Sequence, residues 1–137
     1  MKSTDIYLFF NGNCEEAFNF YETVFDAKAT YSRFGDTPDG GPSEKDANLI
    51  VNASLPLGKI SVLMGCDNPS VSPSVLMGNN FYVTANTESK EETDIIFAKL
   101  SEGGKVNLKL ENTFWGAYFG MLTDKFGINW MLSYSAS

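Results

Sequence analysis

The chain has 137 residues, 17 of them acidic and 10 basic, which gives a formal charge of −7, and it contains no histidine. That charge disfavours a phosphate backbone as partner, because nucleic-acid affinity comes largely from Lys and Arg releasing counterions. The absent imidazole excludes Ser-His-Asp and Cys-His catalysis and withdraws the commonest transition-metal ligand. A hydrophobic content of 43%, with no apolar run near the roughly 20 residues that cross a bilayer, predicts one globular, soluble domain without a membrane partner. Two cysteines without C-x-x-C spacing read as reduced thiols. "MKSTD" leads straight into the strand-like "IYLFF" with no apolar leader, so the expected location is cytoplasmic.

The first strand expected is Ile6 to Phe10. After it, Cys14, Ala17, Phe18, Tyr21, Val24 and Phe25 recur at the spacing of one helix face. Asn13 is suited to cap this helix, with Glu16 reaching back to complete a capping box. The adjacent acids Glu15 and Glu16 are thereby explained as a helix start rather than a catalytic pair, and Cys14 as a small buried residue rather than a nucleophile. Strands follow at Lys28 to Phe34, Leu49 to Leu55 and Lys59 to Cys66, the last two joined by a turn at Pro56 to Gly58. "GDTPDGGPSEKDA", Gly35 to Ala47, reads as a mobile surface loop that lacks the ligand spacing of a calcium loop. "DNPSVSPSV", Asp67 to Val75, reads as a linker.

The same series then repeats. A strand is expected at Asn80 to Ala85, and Ser89 with Glu92 reproduces the Asn13 and Glu16 pattern at one constant offset. Thr93, Ile96, Phe97 and Leu100 give the buried helix face, which Gly103 and Gly104 end. Three strands close the copy, at Val106 to Glu111, Trp115 to Leu122 and Asn129 to Tyr134. The fold class is α+β: two βαβββ modules in tandem, residues 1–67 and 78–137 about a linker at 68–77, forming a single domain. A four-stranded sheet with one helix on its back leaves the other face bare, and two such sheets can curve to enclose a cavity.

"YLFFNGNCEEAFNFYETVFDA" near the start and "FWGAYFGMLTDKFGINWMLSY" near the end resemble the signature segments of the vicinal oxygen chelate superfamily of glyoxalases, bleomycin-resistance proteins and extradiol dioxygenases, in its PhnB-like (demethylubiquinone methyltransferase-like) branch. The resemblance implies metal-ligand positions at Ile6, Met64, Gly78 and Met131, none of which offers an imidazole, thiolate or carboxylate, so no metal and no cofactor are expected. With Met131 on the cavity side of the last strand, alternation adds Asn129 and Ser133 there and sends Trp130 and Leu132 to the helix. The same parity puts Asn80 and Tyr82 in the cavity with Phe81 and Val83 behind, and Gly116, Tyr118 and Gly120 in the cavity from the seventh strand. Asp124 reads as a turn residue rather than a base.

The expected ligand-binding set is Asn80, Tyr82, Tyr118, Met131 and Met64, suited to a small, partly apolar molecule of unknown identity; no catalytic residue is assigned. The competing reading is a metal-dependent glyoxalase- or dioxygenase-type enzyme with carboxylate ligands such as Glu111. A third is an interaction module with a filled cavity and an apolar outer patch. The aromatics, Trp115 and Phe119 among them, lead to the expectation of a homodimer.

Overall fold

The computed structural model describes residues 1–136, which form two compact units, the first Met1–Leu76 and the second starting at Met77. The first contains β1 (Ile6–Phe10), α1 (Cys14–Phe25), β2 (Thr30–Arg33), β3 (Ile50–Leu57) and β4 (Ser61–Asp67). Their sheet order is β1-β4-β3-β2, with β1 parallel to β4 and the other pairs antiparallel. The second repeats the series with β5 (Val83–Asn86), α2 (Lys90–Ser101), β6 (Lys105–Asn112), β7 (Ala117–Thr123) and β8 (Asn129–Ser135). Its order is β5-β8-β7-β6, again with the first and last strands parallel. These are the two α+β modules expected from the repeat.

Each helix buries its apolar stripe on one face of its own sheet. Cys14, Ala17, Phe18, Tyr21 and Val24 are buried on α1, and Leu8, Phe10, Ile50, Ala53, Leu55 and Leu63 are among the buried apolar residues of the strands. Gly65 lies in that contact: a Cβ there would stand 2.8 Å from the Phe18 ring and 2.9 Å from the Leu8 carbonyl oxygen, so the aromatic can lie on the sheet only over a glycine. In the second unit Thr93, Phe97 and Leu100 of α2 are buried, as are Val83, Leu122, Trp130 and Leu132 of the strands. Ile96, expected in the buried stripe, is only half-buried.

The polar ends of the elements differ from the sequence expectation. Asn13 makes no side-chain capping bond. The Cys14 N–H instead donates to Asp67 Oδ1 at 2.9 Å, while Asp67 Oδ2 accepts from the Ile50 N–H at 2.9 Å. A carboxylate at the end of β4 therefore satisfies the first N–H of α1, while the side-chain cap expected from Asn13 does not form. On α2 the local cap forms, the Glu92 N–H donating to Ser89 Oγ at 3.0 Å, and the Glu92 carboxylate accepts from the Glu88 N–H.

Residues 35–47, read as a mobile loop, fold into two short 3-10 turns, Phe34–Asp36 and Glu44–Asp46. Asp46 is buried there and accepts from the hydroxyls of Ser43 and Ser70 and from the Ser70 N–H. Burial pushes the Asp46 carboxyl up, but those bonds outweigh it and hold the group below the usual carboxylate range. The turn after β3 starts at Gly58 (φ 62), Pro56 and Leu57 being strand residues. β5 starts at Val83, so Asn80 and Tyr82 precede it, and β7 starts at Ala117, so Trp115 and Gly116 (φ 90) belong to the preceding turn.

Candidate functional site

Strand pairing fixes which side chains occupy the sheet faces opposite the helices. In the first unit Tyr7, Met64, Ser54 and Thr30 form one row across four strands, with Phe9 beside Cys66 in the next. None of these residues is charged. The Tyr7 and Phe9 rings are 5.5 Å apart, and the Tyr7 hydroxyl donates to the Val51 carbonyl and accepts from the Asn52 amide, both at 3.3 Å. Ile6 pairs with Leu63 rather than Met64, so the two family ligand positions of this unit fall on opposite faces.

Burial pushes the Cys66 thiol up, and pushes Cys14 up further with the Asp67 carboxylate adding to it. Neither cysteine is the low-pKa thiolate that nucleophilic chemistry needs.

In the second unit Thr84, Met131, Met121 and Leu108 form the corresponding row, flanked by Ser133 with Phe119 and by Asn129 with Thr123. Along the Asn129 side runs a chain of hydrogen bonds: Asn107 Nδ2 donates to Thr123 Oγ1 at 2.9 Å, Thr123 Oγ1 to Asn129 Oδ1 at 2.8 Å, and Asn129 Nδ2 to the Gly78 carbonyl at 2.8 Å. It holds the segment entering β5 against β8. Above it opens a cleft of about 490 Å³ lined by Tyr82, Asn79, Asn107, Lys105 and Lys125 among others.

The expected site residues are thus distributed unevenly. Met131 lies on the face opposite α2 and Tyr82 at the cleft beside it; Met64 occupies the equivalent face of the first unit. Asn80 is exposed before β5. Tyr118 lies on the helix side, because β7 pairs it with Tyr134, and Gly120 with the buried Leu132. Its hydroxyl donates to Asp94 of α2 at 2.6 Å, which raises its pKa, and Lys90 of the same helix stands over its ring. A Cβ on Gly120 would lie 2.9 Å from Phe97 of α2. The cavity-side placement of Gly116, Tyr118 and Gly120 is therefore corrected by the register. Phe81, expected to be packed, is exposed. Sequence reading missed Met121, Phe119 and Thr84, which the alternation from Met131 would have supplied once its neighbours were known, and missed Lys105 and Lys125 altogether.

Asp124 caps the β7–β8 turn, its Oδ1 accepting from the N–H groups of Phe126 and Ile128 and its Oδ2 from Trp130 Nε1 at 2.9 Å. Glu111 is paired with Lys109 at 3.1 Å on the surface. Among the described residues no three His, Cys, Asp or Glu side chains converge. The donor set at Ile6, Met64, Gly78 and Met131, two thioethers at most, does not fit the metal of the superfamily.

A four-stranded mixed sheet of order first-last-third-second, backed by one helix and made twice in one chain, defines the glyoxalase class of fold. A glyoxylase/bleomycin resistance protein/dioxygenase domain from Frankia sp. EAN1pec has it at 11% identity, with a TM-score of 0.69 over 99% of this chain and 98% of that one. Within this class the sequence model described as 3-demethylubiquinone-9 3-methyltransferase matches residues 2–133, and the chain belongs to that PhnB-like family. Protein PA1353 from Pseudomonas aeruginosa is 36% identical, with a TM-score of 0.84 over 98% of this chain and all (100%) of that one. The PhnB protein from Bacillus cereus is 27% identical, with a TM-score of 0.74 over 98% and 100% of the two chains. Protein YjdN from Escherichia coli K12 is 28% identical over 93% of this chain and 91% of its own length.

Proposed function

We propose that this protein binds a small, partly apolar molecule on the sheet faces opposite its helices, and does so without a metal. The observation that carries the reading is the composition of those faces. A sheet face built for water alternates charged and polar side chains against the buried ones. Here the rows are Tyr7, Met64, Ser54 and Thr30 in one unit and Thr84, Met131, Met121 and Leu108 in the other. Half-buried thioethers and an exposed tyrosine among neutral hydroxyls suit a ligand held by packing and uncharged hydrogen bonds. The donor chemistry of the family ligand positions supports the metal-free part.

The same reading includes a homodimer and a cytoplasmic protein. Support for the dimer is the exposed pair of Phe114 and Trp115, with ring centroids 5.0 Å apart, near Phe119. Among the described residues no helix is long and apolar enough to cross a membrane.

The neutral fluorescent probe N-phenyl-1-naphthylamine tests the binding. It should bind saturably, and Met131→Glu, which sets a charge on the face, should weaken it by at least about tenfold; non-saturating uptake unaffected by Met131→Glu refutes the reading. Zn²⁺, Ni²⁺ and Mn²⁺ should leave the melting temperature at its value in chelator. A bound metal at a hundredfold excess over Kd would add about 2.7 kcal/mol of stability, so a reproducible rise with stoichiometric metal would overturn the metal-free part.

A further inference from the structure

We infer that the molecule bound by the second unit carries an oxyanion, a carboxylate, phosphate or sulfonate, seated in the cleft between Lys105 and Lys125. This rests on the reading above that the face opposite α2 takes a small molecule, and it names the ligand's charged end.

The cleft of about 490 Å³ lies where β6 starts and β7 ends, and Lys105 pairs with Thr123 across those strands. The acidic chain, with its formal charge of −7, has 10 basic residues, and two of them line this cleft. The Lys105 ammonium has no acidic partner among the described residues. Lys125 stands over the Phe126 ring, 5.5 Å from its centroid.

The one carboxylate on the cleft wall, Asp124, is only 3% exposed and has both oxygens occupied by the N–H groups of Phe126, Ile128 and Trp130. Its charge is directed inward. The polar floor is also satisfied within itself, since Thr123 accepts from Asn107 and donates to Asn129, and Asn129 donates on to Gly78. Among the described residues, three groups at the opening that can donate have no hydrogen-bond partner: the Asn79 amide, the Tyr82 hydroxyl and the Lys105 ammonium. Groups free to donate, two lining residues that are cationic, and a neighbouring row of Met131 and Met121 together define a site for an amphipathic anion with its charged group at the lysines. A volume of this size is within the range of small-molecule pockets.

Two dyes of one skeleton separate this inference from the reading beneath it. 1-Anilinonaphthalene-8-sulfonate is N-phenyl-1-naphthylamine with a sulfonate added. The sulfonate should bind at least about tenfold more tightly than the neutral dye, the size of one charge-assisted hydrogen bond, and salt should narrow the gap because the lysines are exposed. In the Lys105→Gln, Lys125→Gln chain the gap should fall below about threefold, with the neutral dye unaffected, whereas Lys28→Gln in the first unit should leave it intact. Equal affinities, or an advantage that survives the double substitution, would overturn the inference while the neutral reading stands. Failure of both dyes to bind would remove the two together.

Discussion

The two units share strand order, a parallel first and last strand and one helix against one sheet face, yet they fix their polar ends by different chemistry. In the first, Asp67 at the end of β4 accepts the first N–H of α1 and the first N–H of β3, so a single buried carboxylate ties helix to sheet. In the second, Ser89 caps α2 locally, and the buried carboxylate is Asp124 in the β7–β8 turn, bonded to the Trp130 indole. The opposite faces differ as well: the first presents uncharged rows only, the second borders a cleft with two lysines. A repeated backbone needs its buried donors satisfied, but the residue that does so need not sit at the repeated position.

The largest expected effect that tests this contrast is Trp130→Ala. It removes a side chain 1% exposed together with the indole N–H bonded to Asp124, and should cost about 3–5 kcal/mol in a urea titration followed by circular dichroism. A loss below about 1 kcal/mol would show that the second unit is not organised around this contact.

Asp67→Asn is the counterpart in the first unit. An amide offers one acceptor where two N–H groups need one each, so the cost should be about 1–3 kcal/mol, with faster hydrogen exchange at Cys14 or Ile50; unchanged exchange at both would dissolve the proposed link between helix and sheet.

Ser89→Ala should cost about 1 kcal/mol, the usual value of a lost N-cap. Tyr118→Phe deletes a solvent-exposed bond to Asp94 and should cost less than about 1 kcal/mol because water competes for both partners. It should leave binding of the neutral dye unchanged, and weaker binding would return Tyr118 to the ligand face. Asn13→Ala should change stability by no more than about 0.5 kcal/mol, since its side chain caps nothing. A loss equal to that of Ser89→Ala would mean that both helices begin with local caps after all.

Periodicity alone determined much of this molecule. The stripes of Cys14 to Val24 and of Thr93 to Leu100, the alternation that buries Trp130 and Leu132, and the second copy of the series were legible because a helix repeats every 3.6 residues and a strand every two whatever lies around them. Period, however, does not give phase. Alternation was equally consistent with Tyr118 on either face, and only the pairing of Tyr118 with Tyr134 and of Gly120 with Leu132 places both against the helix. Nor can a local pattern name a distant partner. Asn13 has the right side chain to cap α1 but makes no such bond, whereas the first N–H of the helix, that of Cys14, is met by Asp67, which the fold of β4 brings to it, and Lys105 and Lys125 meet at one cleft only because β6 and β7 pair antiparallel. The sequence carries the elements and their apolar faces, which depend on neighbours along the chain. Registers, remote caps and the charge of the cleft depend on neighbours across it, and those the tertiary structure decided.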